Sequence, residues 1–193
     1  MFGFNKKKRM IEGPVEFEAE VEIDRPVGEV WPLLDMADPR FAHAQRGAQV
    51  KRDDADDSRY TMTIDAFDDA VFEFTVLESV EGRRHKSKAK MVPQLFALVE
   101  ATEDYTIEPL GDGSCRVKLV TCATFDEDLS DEEVAEEVAT MSEAVTGDLM
   151  KLKLLAEDGL DTVMAFEEEQ MSFDIELDLE DLDIDWDNIE PEQ

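Results

Sequence analysis

The chain opens on an alternation. Val15, Phe17, Ala19, Val21 and Ile23 are apolar, and Glu16, Glu18, Glu20 and Glu22 lie between them. A period of two sends each set to its own face, so the run predicts a strand with one buried and one wetted side. Asp24-Arg25-Pro26 then predicts a helix start, with a short helix over Val27–Leu34. Pro32 falls inside it and predicts a kink, because it lacks an N–H and its ring crowds the preceding turn. Asp38-Pro39 predicts a second N-cap and a short helix through Phe41 and Ala44.

Strands follow. Arg59–Phe67 places Tyr60, Met62, Ile64 and Ala66 on one face, and Ala70–Val80 does the same with Phe72, Phe74 and Val76. Asp68-Asp69 between them predicts a tight turn. Gly82 breaks the chain before Arg83–Val92, where Arg84, Lys86, Lys88 and Lys90 alternate with His85, Ser87, Ala89 and Met91. The charged row belongs in solvent and the other inside. Val99–Leu110 and Ser114–Phe125 flank Gly111-Asp112-Gly113, a hairpin signal. Their inward rows are Val99, Ala101, Glu103, Tyr105 and Ile107, then Cys115, Val117, Leu119, Thr121, Ala123 and Phe125. The run Met91–Leu98, with Leu95 and Phe96, is an apolar loop around Pro93, which predicts a lid, a pocket mouth or a contact patch.

Ser130-Asp131-Glu132-Glu133 is a capping box. Val134, Val138, Met141, Val145, Leu149 and Leu152 follow at helical spacing, which predicts a long helix over 131–156. Gly147 in its interior costs about 1 kcal/mol relative to Ala, so a close backbone approach is expected there.

Composition adds exclusions. The 193 residues carry 50 Asp+Glu against 19 Lys+Arg, a net charge of −31. That excludes general nucleic-acid binding, which needs a clustered cationic surface. With 42% hydrophobic residues the chain can still build a core. It contains no apolar run long enough to span a membrane. Lys6-Lys7-Lys8-Arg9 leads into Met10-Ile11-Glu12-Gly13-Pro14 rather than into the apolar stretch of a secretory signal. Residues 1–14 therefore read as a flexible basic leader, and the protein as cytoplasmic. Cys115 and Cys122 sit at an odd offset in one predicted strand, so they point to opposite faces and cannot bridge. That fits a reducing compartment.

The order is strand, two short helices, a series of antiparallel strands and a long C-terminal helix. Val21-Glu22-Ile23-Asp24-Arg25-Pro26-Val27-Gly28-Glu29-Val30-Trp31-Pro32-Leu33-Leu34 resembles the opening motif of the START-like polyketide cyclase and lipid-transport superfamily, SRPBCC. Glu103-Asp104-Tyr105-Thr106-Ile107-Glu108-Pro109-Leu110-Gly111-Asp112-Gly113-Ser114 is similar to its late hairpin. The resemblance covers residues 15–156. It implies an α+β helix-grip fold, in which a curved antiparallel sheet wraps the C-terminal helix around an apolar cavity. Members of the superfamily bind lipids, sterols and polyketides, and some catalyse cyclisation or dehydration. It has no universal catalytic set, so no catalytic residue is assigned here.

The candidate ligand-binding residues are the inward-facing Tyr60, Met62, Phe72, Phe74, His85, Ser87, Glu103, Tyr105 and Thr121. Leu95 and Phe96 of the apolar loop and Met141 and Val145 of the long helix join them. His85, Glu103 and the tyrosines could move protons or orient a polar head group, or simply be satisfied polar groups at a cavity rim. No metal and no cofactor are expected. His43 and His85 are the only histidines, and neither cysteine has a partner at zinc-ligand spacing. The chain has no glycine-rich phosphate loop and no Gly-x-Ser-x-Gly elbow.

Residues 157–193 hold 16 acidic residues and no Lys or Arg, and read as an acidic tail, largely disordered or docking. Within Phe173–Trp186 apolar residues recur at a period of two, while Ile175, Leu179, Leu182, Trp186 and Ile189 also fit a helical stripe. A tail with this pattern could add as a strand beside Arg84, Lys86, Lys88 and Lys90, or recruit a basic protein partner. General acidity also suits adaptation to saline conditions. Three functions are thus expected: binding a small apolar or amphipathic ligand, cyclase or dehydratase activity on a polyketide-like substrate, and partner recruitment through the tail.

Overall fold

The computed structural model describes residues 13–64 and 70–180. The basic cluster at 6–9, the Asp68-Asp69 turn with Ala66 and Phe67, and the tail from 181 onward lie outside the described residues.

Seven strands form one antiparallel sheet: β1 (Val15–Ile23), β2 (Gln49–Arg52), β3 (Arg59–Thr63), β4 (Val71–Val80), β5 (Arg84–Val92), β6 (Leu98–Pro109) and β7 (Cys115–Phe125). Their spatial order is β1-β7-β6-β5-β4-β3-β2. Helices α1 (Val27–Leu34) and α2 (Ala42–Gln45) connect β1 to β2, and α3 (Asp131–Glu157) and α4 (Leu160–Glu180) follow β7. The sheet is curved around α3, which is the helix-grip arrangement.

The alternation of β1 is realised as expected. Val15 to Ile23 pair with Ala123 to Cys115 of β7. On the wet face Glu18 meets Lys118 at 2.6 Å and Glu22 meets Arg116 at 2.5 Å. On the inner face, Phe17 and Ile23 join Val117 and Leu119 of β7, Val145, Leu149 and Leu152 of α3, and Trp31 and Leu34 of α1 in the main core. Of these strand-borne side chains, Ile23, Val117 and Leu119 are fully buried. The capping box forms: Ser130 Oγ accepts from Glu133 N–H at 3.3 Å, and the Glu133 carboxylate accepts from Ser130 N–H at 2.7 Å. The far end of α3 is tied to the β1–α1 corner, where Lys153 Nζ donates to the Glu22 carbonyl at 2.7 Å and Asp24 N–H donates to Glu157 at 2.6 Å.

α1 has the expected bounds, with Pro32 inside it and buried with Val30, Trp31, Leu33 and Leu34. Several other local expectations change. α2 starts at Ala42 rather than at Asp38, because the Asp38 carboxylate accepts from Arg40 N–H at 2.8 Å and closes a turn instead. β2 was not expected, since a four-residue edge strand is too short to show a period. A bulge between Leu98 and Glu100 turns Leu98 toward the core and leaves Val99 37% exposed. Gly147 admits no close approach: a Cβ there would meet only the end of Lys151, at 3.9 Å.

The boundary expected at 157 is also redrawn. Gly159, at φ 90°, ends α3, and its N–H bonds the Leu154 carbonyl at 3.0 Å. The chain then continues as α4 to Glu180, and Val163 is fully buried against the main core. Leu160 and Val163 are apolar neighbours at helical spacing, so the first turns of the expected tail belong to the folded unit. Residues 173–180 lie in α4 rather than in an added strand.

Candidate functional site

The sheet does not close fully on α3. A cavity of about 310 Å³ remains between the inner face of the strands, α1 and α2, and the helix. The size lies at the small end of the range typical of small-molecule sites. Of the residues expected to bind a ligand, Met62, Phe72, Phe74, His85, Ser87, Glu103, Tyr105, Thr121, Phe96, Met141 and Val145 line it. Met91, Leu98 and Val99 from the expected mouth loop line it as well.

Two expectations are corrected. Tyr60 faces inward but lies one layer away, packed with Met36, Phe41 and Met62 in a second core, with the Arg52 guanidinium 6.0 Å from its ring centroid. Facing inward is set by the strand period, whereas reaching the cavity depends on what packs in front. Leu95 does not line the cavity and is 48% exposed in the loop between β5 and β6.

The floor of the cavity is polar, and strand register makes it so. Ser87 of β5 stands opposite Glu103 of β6, which stands opposite Thr121 of β7. In the adjacent row His85 faces Tyr105, which faces Leu119. Directly opposed residues have Cβ atoms about 5 Å apart, so three strands gather five polar groups within one small area. His85, Ser87 and Thr121 are buried, and neither imidazole nitrogen of His85 nor the Thr121 hydroxyl has a partner among the described residues.

Burial governs the electrostatics. It raises the Glu103 carboxyl from its ordinary 4.5 to about 7, and Asp148 nearby adds to the rise. The Tyr105 phenol is pushed well up by burial, then by Glu103 and Asp148. Burial holds His85 below the usual imidazole range, against the opposing field of Asp35. A carboxyl poised near neutrality can both give and take a proton.

A second polar group lies on the helical side. His43 of α2, Arg46 just after it, and Asp148 and Lys151 of α3 all line the cavity. Arg46 forms an ion pair with Glu167 of α4, and Lys151 lies 3.2 Å from Asp148 and 3.7 Å from Glu167. Burial lowers the His43 pKa, opposed by Asp148. Sequence reasoning missed these residues. A signal existed for Asp148 and Lys151, which interrupt the apolar stripe of Val145, Leu149 and Leu152, but none marked Arg46. Among the described residues no group of three or more His, Cys, Asp or Glu is placed to hold a metal ion.

The cationic row of β5 is already matched within the sheet. Arg84 and Lys86 reach Asp104 at 2.6 and 3.2 Å, Lys88 reaches Glu100 at 3.2 Å, and Lys90 reaches Glu73 at 2.9 Å. The mutual repulsion that would invite an acidic tail is therefore relieved by β4 and β6.

No family model matches the chain, and no curated protein matches it. Solved structures do. The Zhui aromatase/cyclase from Streptomyces sp. R1128 superposes with a TM-score of 0.54 at 13% identity, over 74% of this chain and 93% of that one. The di-domain ARO/CYC BexL from the BE-7585A biosynthetic pathway gives 0.55 at 16% identity, over 72% of this chain and 45% of its own. Ara h 8.0201 gives 0.51 at 14% identity, over 75% of this chain and 98% of its own. Among the described residues no helix is long and apolar enough to cross a membrane.

Proposed function

The chain adopts the START-like helix-grip fold, and on that premise we propose that it binds one small, mostly apolar ligand inside the sheet. One observation carries this reading: a cavity of about 310 Å³ walled by Met62, Phe72, Phe74, Leu119 and Val145, with a few polar groups converging on its floor. Apolar walls supply affinity and sparse polar groups supply orientation. Native mass spectrometry of the purified protein, with an apolar fluorescent probe as a second readout, tests it. Ala89→Phe projects a ring into the cavity from β5 and should abolish probe binding without unfolding the chain. Undiminished binding in that variant would place the ligand elsewhere.

A second reading, cyclase or dehydratase chemistry, is favoured by Glu103. Its carboxyl titrates near 7 beside Tyr105 inside an apolar site, as acid–base catalysis requires. The likeness of the fold to aromatase/cyclase structures supports this direction. Turnover of a poly-β-keto substrate by the native chain, lost in Glu103→Gln, would establish it. Binding without turnover leaves the first reading.

A further inference from the structure

The polar floor is unmatched by the rest of the cavity. Every cation that lines the cavity already has a carboxylate: Arg46 has Glu167, Lys151 has Asp148 and Glu167, and Lys90 has Glu73. The Glu103 carboxylate has neither a cation nor a hydrogen-bond donor among the described residues. Beside it, His85 is 3% exposed and Thr121 is 2% exposed, and the polar side-chain atoms of both lack a hydrogen-bond partner among the described residues. Buried polar groups are almost always hydrogen-bonded, so the two exceptions that flank Glu103 on this floor, His85 and Thr121, point to what the floor is built to hold. Both of them, with Glu103 and Ser87, are able to accept a hydrogen bond.

Resting on the ligand-binding reading above, we propose that this floor is the head-group subsite and takes the protonated amine of an otherwise apolar ligand, with Glu103 as its counter-ion. An ammonium brings three donors, one for Glu103 and two for acceptors beside it among the Ser87 and Thr121 hydroxyls and a neutral His85. A carboxylate head would instead face Glu103 and Asp148, both negative when ionised. A neutral hydroxyl head would leave the Glu103 charge uncompensated in an apolar site, which is costly.

The groups facing Glu103 decide the pH behaviour. They are His85 and Lys90 on β5, Tyr105 on β6, His43 and Arg46 at α2, and Asp148 and Lys151 on α3, which line the cavity with it, while Glu167 of α4 pairs with Arg46 and Lys151. Burial holds both imidazoles below their ordinary range and Tyr105 far above neutrality. Across pH 6 to 8, Glu103 is the member of this set expected to change charge, with its carboxyl at about 7. An ammonium favours the ionised form, so amine affinity rises with pH over that interval.

Calorimetric titration of the full chain with naphthylmethylamine, naphthylmethanol and naphthoic acid tests this. Near pH 8 the amine should bind about tenfold more tightly than the alcohol, and the acid most weakly, as expected for a charge-assisted pair. Glu103→Gln, nearly isosteric, should remove that advantage, narrowing the amine-to-alcohol affinity ratio to about twofold or less. The rise of amine affinity between pH 6 and 8 should vanish in the same variant. Equal binding of amine and alcohol, or an amine affinity unmoved by Glu103→Gln, would overturn the subsite while leaving the cavity reading intact. Absence of binding by all three probes would overturn both.

Discussion

Trp31 of α1 meets the imidazole of His85 on β5 edge-on, with ring centroids 6.2 Å apart and planes inclined at 70°. The contact anchors α1 to the sheet beside the polar floor of the cavity. Trp31 is 7% exposed and belongs to the main core. Trp31→Ala should therefore cost about 3–5 kcal/mol of unfolding free energy, the usual penalty for deleting a buried aromatic ring. Urea denaturation reads this directly. A loss under about 1 kcal/mol would mean that the ring is not packed as described.

Glu103 makes stability depend on pH in a definite direction. Below its ordinary 4.5 the carboxyl is protonated in both folded and unfolded chains. Between 4.5 and about 7 the unfolded chain ionises while the native chain keeps its proton, so stability falls as pH rises. The loss amounts to as much as about 3 kcal/mol and levels off above the native value. Glu103→Gln should lack this slope and so be more stable than the native chain at pH 8. The difference between the two denaturation profiles isolates this residue from Asp104, whose carboxyl Arg84 holds low and whose stabilising effect is lost only in acid. Parallel profiles from pH 4.5 to 8 would show that Glu103 is not buried.

The first turns of α4 should prove structural. Val163 is fully buried, and Val163→Ala is expected to cost about 1–3 kcal/mol. Glu167 joins Arg46 to Lys151 from a site 30% exposed, so Glu167→Gln should cost less, about 1 kcal/mol. A chain ending at Gly159 should melt at lower temperature than one ending at Gln170. Equal melting of the two would return this segment to the status of a tail.

The start of α3 offers a cleaner test of a local signal. Ser130→Ala removes the acceptor for Glu133 N–H and should cost about 1 kcal/mol by chemical denaturation. Ser130→Asp should retain most of the stability, since its carboxylate can accept the same bond and suits the helix N-terminus.

Much of this protein is local, and the local part was legible in the chain. Alternation from Val15 to Ile23 sets a two-faced strand because side chains leave a strand in opposite directions. The Ser130 and Glu133 pair starts a helix because each satisfies an N–H that the helix itself cannot. Burial of Cys115, Val117, Leu119, Thr121, Ala123 and Phe125 follows from the same period of two. What only the tertiary structure decided is which inward residues meet. Tyr60 and Met62 share a face, yet Met62 lines the cavity and Tyr60 does not, because the space that the helices and loops leave over the sheet stops short of Tyr60. The row Ser87–Glu103–Thr121 depends on the register between strands that are far apart in sequence. Arg46 reaches Glu167 across 121 residues of chain, a separation that no local period encodes. A sequence period states which face a side chain takes. Long-range packing sets its neighbours, and those neighbours give Glu103 its burial and its proton.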